Sequence, residues 1–250
     1  VDRRAISLFA ALLALPLASA AAAHAGRAPS LVRAPAGDER AIRDPDVSAD
    51  RGVALSLGVA EQGRPFASFP ALRISNARGL TREVRLYDDD GSLDDAALRS
   101  LDALLADTRD AAEVRSIPIE HRSLQLLFRA AYHFGASAVQ VVSGYRQPGR
   151  RTEGYHAEGK AIDFKLPGVR AVALASYLRT LSRVGVGVYT NRRTQFVHLD
   201  VRDRSFFWLD ASPPGRRWRE RPIRNASMGA RDASYQPSED WPEGTRPRGV

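Results

Sequence analysis

Phe196-Val197-His198-Leu199-Asp200-Val201 alternates strictly between two kinds of side chain. On a strand, positions 196, 198 and 200 share one face, and 197, 199 and 201 share the other. Val197, Leu199 and Val201 make a core face. His198 and Asp200 are then presented side by side from a rigid backbone, a good platform for a metal ligand and its hydrogen-bonding partner. The competing reading of His198, the lesser of the two, is a buried structural histidine.

A second strand follows the same rule. In Ala161-Ile162-Asp163-Phe164-Lys165-Leu166, the residues Ile162, Phe164 and Leu166 share the apolar face. Asp163 lies on the other face with Ala161 and Lys165. It is preceded by His156-Ala157-Glu158-Gly159-Lys160, where Gly159 permits a tight turn. Taken alone, the His156 to Asp163 spacing reads as a surface turn before a polar strand face. Beside His198 and Asp200 the odds change, since the elements together supply two imidazoles and carboxylates, enough for a zinc site. The sequence has no cysteine, so a transition-metal site must be built from histidine and carboxylate. Of the five histidines, His121 and His133 fall near the ends of an apolar helix, and His24 lies in the N-terminal segment described below.

Outward from these strands, Val139 to Ser143 reads as a short strand running into Gly144-Tyr145-Arg146. An arginine there can grip a carboxylate or stabilise an oxyanion; it can equally be one surface arginine among many. A helix is expected from about 119 to 134, with Leu124, Leu127, Phe128, Ala131 and Phe134 as its stripe and Gly135 as its cap. Ser92-Leu93-Asp94-Asp95 reads as a capping box opening another helix, with Leu98, Leu101, Leu104 and Leu105 on one face. A third helix is expected over 168–184, closed by Gly185. Gly185-Val186-Gly187 lacks the third glycine of a dinucleotide loop and reads as a turn. Val53 to Val59 and Ala71 to Tyr87 read as strands of an opening hairpin. Asp88-Asp89-Asp90-Gly91 reads as a solvated turn, since it lacks the later ligands of a calcium loop. Strands and helices without regular alternation indicate an α+β fold with a small antiparallel sheet and flanking helices.

The ends differ in composition. Arg3-Arg4, an apolar run from Ile6 to Leu17 and a small-residue segment ending Ala23-His24-Ala25 have the order of a cleavable export signal over 1–25, with a twin-arginine look. The apolar run is too short for stable membrane insertion. Residues 26–51 read as a flexible linker, 52–218 as the folded domain, and 219–250 as a disordered polar tail. The chain carries a formal +8, almost all of it arginine, since Lys160 and Lys165 are its only lysines. Such charge fits a GC-rich genome or a polyanionic partner. The export signal argues against nucleic acid and for a periplasmic or other extracytoplasmic location.

The set Ser143-Gly144-Tyr145-Arg146, His156-x-x-Gly159-x-Ala161-x-Asp163, Val184-Gly185-Val186-Gly187-Val188-Tyr189 and Phe196-Val197-His198-Leu199-Asp200 resembles the zinc D-Ala-D-Ala peptidases. That superfamily is shared with lysostaphin-type enzymes and the Hedgehog fold. Within it, the chain looks most like the YcbK-like branch of murein endopeptidases, over roughly residues 73–208. The resemblance implies a Hedgehog/D-Ala-D-Ala-peptidase-like zinc fold. It implies Zn2+ held by His156, Asp163 and His198, with water in the open fourth position. Arg146 would hold a substrate oxygen, and Tyr145 and Tyr189 would contact the peptide. Peptidoglycan is the implied substrate, and D,D-endopeptidase cleavage the expected reaction. Where many members carry a general base, this chain has Gln195 and Phe196. Asp200 is the expected base, with Glu153 and Glu158 behind it. The missing base also leaves open a zinc-containing wall-binding module without turnover. Departures at Pro148-Gly149-Arg150, Gly154 and Val201-Arg202-Asp203 touch the rim more than the ligands.

Overall fold

The computed structural model describes residues 63–107, 115–148, 154–213 and 221–245. The expected export signal, the linker and the strand over 53–59 lie outside them.

Twelve elements matter for the argument. They are β1 (Leu72–Ser75), β2 (Thr81–Val84), α1 (Asp95–Leu104), α2 (His121–His133), β3 (Ala138–Ser143) and β4 (Ala161–Lys165), then α3 (Ala171–Leu178), β5 (Val184–Tyr189), β6 (Phe196–Val201), β7 (Phe206–Asp210), β8 (Arg221–Ile223) and α4 (Met228–Ser234). The strands form one sheet in the order β2-β1-β3-β4-β6-β5-β7-β8. The fold is α+β as expected, but the sheet is neither small nor purely antiparallel. It has eight strands, and β1 runs parallel to β3, as β5 does to β7. The parallel pairs arise because α1 and α2 carry the chain from the β1–β2 hairpin back to β3. Residues 202–205 likewise carry it past β5 to reach β7.

The helices begin where local chemistry allows. Asp94 caps α1 by accepting a 2.5 Å hydrogen bond from the Ala97 N–H, so the cap sits two residues past Ser92. Ala97, Leu101 and Leu104 turn inward. In α2, Leu124, Leu127, Phe128 and Ala131 are buried as the stripe predicted, with Leu126 and Ala130 added. The third helix is shorter than expected: it ends at Leu178, and 184–189 is strand rather than helix end and turn. Asp88 to Ser92 is a turn, closed by the Asp88 N–H to Ser92 carbonyl bond of 2.9 Å.

Alternation divides the sheet into two faces. Val141, Ile162, Phe164, Val186, Val197, Leu199 and Phe207 are all buried in one core with the helices. Burying one Val, Leu, Ile or Phe side chain stabilises a fold by roughly 1.5–3 kcal/mol before entropy is counted. The opposite face carries the chemistry. Across it runs one register row: Ser143 beside Asp163, Asp163 beside His198, His198 beside Gly187, Gly187 beside Trp208.

The tail expected to be disordered is folded over 221–245. Asp232 of α4 accepts from the Ser205 N–H at 2.7 Å, the Ser205 hydroxyl at 2.6 Å and the Arg183 N–H at 2.6 Å. Arg122 of α2 pairs with Asp240 at 2.8 Å and donates to the carbonyls of Ser182 and Arg183. Its guanidinium lies 4.5 Å from the Tyr235 ring centre. Glu243 accepts from Tyr177 at 2.8 Å and pairs with His133 at 3.1 Å. A polar composition does not exclude order when each polar group meets a fixed partner. Among the described residues, no helix is long and apolar enough to cross a membrane.

Candidate metal centre

The site begins with β3. A register irregularity between Val141 and Ser143 breaks its pairing with β4 just before Gly144, a common device beside functional sites. Gly144 passes so close to Leu105 that a Cβ would lie 2.4 Å from the Leu105 carbonyl oxygen. This close approach aims the Gly144 carbonyl at His156, whose Nδ1–H donates to it at 2.6 Å. A carbonyl only accepts, so the proton sits on Nδ1 and the Nε2 lone pair is free to ligate. The His156 turn closes at Gly159, where φ is +71°.

His198 is fixed in the mirror sense. Its Nε2 lies 2.9 Å from Asp200 Oδ2. Asp200 is fully buried and is gripped by Arg202, whose Nε donates to Oδ1 at 2.6 Å and whose Nη2 contacts Oδ2. Burial opposes ionisation of Asp200, but the bonds from His198 and Arg202 outweigh it and hold the carboxyl below its usual range. The carboxylate therefore accepts from Nε2–H, which leaves His198 Nδ1 for a metal.

Three ligand atoms converge. His198 Nδ1 stands 2.8 Å from Asp163 Oδ1 and 3.2 Å from His156 Nε2, and His156 Nε2 stands 3.3 Å from Asp163 Oδ1. Around a tetrahedral zinc with bonds of about 2.0–2.1 Å, ligand atoms lie about 3.3–3.4 Å apart. The donor types, their spacing and the hydrogen bonds behind both imidazoles all fit that ion. Burial pushes the His198 imidazole down, yet Asp163 and Asp200 prevail and raise it to about 9, so a metal binding there displaces the Nδ1 proton. Burial would also raise Asp163, but the two imidazoles hold it far below the carboxylate range.

The other expected site residues divide. Arg146 is half-buried; it bonds Asp163 Oδ2 through Nη2 and Ser143 Oγ through Nε at 2.8 Å. It thus holds the outer oxygen of Asp163, while Oδ1 faces the imidazoles. Tyr189 lines the cleft, its ring stacked 4.2 Å from Phe196. Tyr145 does not line it. That side chain is buried in the core, because Gly144 turns the following residue inward beneath Leu105. Asp200, expected as the base, has both oxygens engaged by His198 and Arg202. Glu158 is exposed and paired with Lys160 at 2.8 Å. Glu153 lies outside the described residues.

The cleft holds about 390 Å³ and is also lined by Tyr155, Arg202, Phe206 and Trp208. Arg202 was read only as a departure at the rim. The signal for it was present: it continues the 196-198-200 period by one step. The glycines of β5 serve its neighbours. A Cβ on Gly185 would meet Asp200 and Arg202 within 2.5 Å, and one on Gly187 would meet the Trp208 indole at 2.3–2.5 Å.

Fold and site together define a buried two-histidine, one-aspartate centre in a cleft lined by both charged and aromatic side chains. Residues 67–205 match the family described as peptidoglycan L,D-endopeptidase MepK, and the chain belongs to that family of peptidoglycan endopeptidases. Among curated proteins, it is 27% identical over 167 residues to the probable peptidoglycan L,D-endopeptidase MepK of Haemophilus influenzae, covering 60% of this chain and 87% of that relative. No solved structure matches the chain.

Proposed function

We propose that the protein is an exported zinc peptidase that hydrolyses cross-links between peptidoglycan stem peptides, and that the bond it cuts is L,D. The observation that carries this reading is the convergence of His156 Nε2, Asp163 Oδ1 and His198 Nδ1 at 2.8–3.3 Å on the floor of an open cleft. The family match supports the substrate and the L,D linkage, in place of the D,D linkage expected from the sequence. The apolar, arginine-headed N-terminal segment supports export.

Zinc bound there would supply a water of lowered pKa and polarise the scissile carbonyl. The chain's own residues do the rest. Gly144 and Asp200 hold the two imidazoles in the ligating tautomers. Arg202 holds Asp200. Arg146 orients Asp163 and presents its remaining N–H groups to substrate oxygen. Tyr189 and Phe206 flank the cleft through which a peptide would pass.

One observation favours a second reading, a zinc-containing wall-binding module. Among the described residues, the acids lining the cleft are Asp163 and Asp200, and both are engaged. Two purified muropeptide dimers separate the cases, one joined through an L,D bond and one through a D,D bond. The proposal expects zinc-dependent cleavage of the L,D dimer alone. Cleavage of the D,D dimer would overturn the assigned bond. Binding of both dimers without products would establish the second reading.

A further inference from the structure

A second cavity, of about 430 Å³, adjoins the metal cleft. Tyr155 and Arg202 line both, the guanidinium standing 4.4 Å from the Tyr155 ring centre. One wall is Tyr235, from the C-terminal segment beyond the part of the chain that matches the family. Most of the charges lining this cavity are engaged. Lys160 pairs with Glu158 at 2.8 Å, with Glu120 acting on it from farther off, while Arg122 pairs with Asp240 and Arg202 with Asp200. Arg183 and Asp203 remain. Among the described residues, Arg183 has no carboxylate partner, and Asp203 has neither a hydrogen-bond nor an ion-pair partner. Neither is sealed off by packing: Asp203 is exposed and Arg183 half-buried.

The backbone puts these two together. Arg183 precedes β5 and Asp203 follows β6, at one end of that antiparallel pair, where the Arg183 carbonyl accepts from the Arg202 N–H at 3.0 Å. Among the described residues, Arg183 is the only non-glycine residue with a positive φ, at 53°. Such a conformation persists only where the surroundings fix it, and it gathers at functional sites. Here the Arg183 N–H is held by Asp232 at 2.6 Å and its carbonyl by Arg122 at 2.8 Å. Its Nε donates to the Asp232 carbonyl at 3.0 Å, and its guanidinium lies 4.8 Å from the Tyr235 ring centre.

Building on the peptidase reading, we propose that this cavity binds a free α-amino-acid end of the cross-linked substrate, with Arg183 taking its carboxylate and Asp203 its ammonium. A lone carboxylate would be repelled by Asp203, and a lone ammonium by Arg183. A group that carries both charges on one carbon satisfies both residues. Such an end stands on the unlinked side of a diamino acid in a stem peptide. Because Tyr155 and Arg202 line both cavities, a peptide held here continues into the metal cleft.

Zinc-loaded protein is titrated by calorimetry with a disaccharide tetrapeptide containing diaminopimelate, either native or acetylated on its free amine. Acetylation removes the ammonium and keeps the carboxylate. It is expected to weaken binding about two- to fivefold, as loss of one partly exposed ion pair does. Asp203→Asn weakens the native ligand by the same factor and abolishes the difference between the two ligands. Arg183→Gln weakens both, and Glu120→Gln leaves the difference in place. Zinc content is the same in all. Arg183→Gln also disturbs a strained turn, so Asp203→Asn, at an exposed residue, carries the test. Equal binding of both ligands by the parent, binding of neither, or the full acetylation effect in Asp203→Asn would overturn the assignment. The L,D dimer, assayed in parallel, reports on the peptidase reading separately. A cleaved dimer with equal ligand binding removes this cavity's role alone; an uncleaved dimer with the expected binding pattern removes the peptidase reading alone.

Discussion

At the scale of single residues, the three candidate ligands are held in place because each has a partner behind it. Asp200 accepts from His198 and is itself held by Arg202. Such outer partners typically contribute 10–100-fold in metal affinity. Asp200→Ala is therefore expected to weaken zinc binding about 10–100-fold, read by competition with a chelating dye, while Asp203→Ala leaves it unchanged. If Asp200→Ala bound zinc normally but lost all turnover, Asp200 would be the base after all. Asp163 and His198 were legible from strand alternation, whereas His156, in a turn, and Arg146, past the end of β3, were singled out by the resemblance; the structure brings all four side chains together. The backbone carbonyl of Gly144 was not legible, since a carbonyl leaves no mark in side-chain identity. Tyr145 was misplaced for a related reason: it leaves the strand through Gly144, where period two no longer applies.

At the scale of elements, β5 shows why local propensity misleads. Glycine is a weak strand former, and Gly185-Val186-Gly187 read as a turn. The strand forms because its valines fill the core and its glycines make room for Asp200, Arg202 and Trp208 on the other face. Gly187→Ala is expected to displace the indole, destabilise the fold by about 1–3 kcal/mol and lower activity, with zinc content kept. Urea unfolding and metal analysis check this. An unchanged midpoint would show that the indole gives way freely. The core faces of β4 and β6 were legible from period two. The strand order was not, because pairing depends on partners distant in sequence.

Across the whole molecule, the C-terminal segment fastens the fold rather than trailing from it. Asp232 satisfies the backbone N–H groups of Arg183 and Ser205 at the starts of β5 and β7. Asp232→Ala is expected to cost about 1–3 kcal/mol, measured by urea unfolding, through those stranded donors. The Glu243 clasp adds a pH dependence. Burial would raise its carboxyl, but His133 and Tyr177 hold it below the ordinary value of 4.5. A depressed folded pKa means that the contribution is complete above about pH 4.5 and is lost as pH falls through the lower, folded value. The pair is half exposed, so the effect stays under about 1 kcal/mol. Glu243→Gln should flatten the unfolding midpoint between pH 3 and 6 by that amount; an identical slope would remove the clasp from the account. This order was hidden in the sequence because Arg, Asp and Glu look alike whether solvated or paired.

The central claim, that His156, Asp163 and His198 hold a zinc that cleaves the wall, is tested most directly by digesting purified sacculi with the zinc-loaded protein and identifying new peptide ends by mass spectrometry. Chelator-treated protein and His198→Ala run in parallel. The account predicts products that require both zinc and His198, with masses that place the cut at an L,D bond. Undiminished products from folded His198→Ala, or no products from folded protein carrying one zinc per chain, would contradict it.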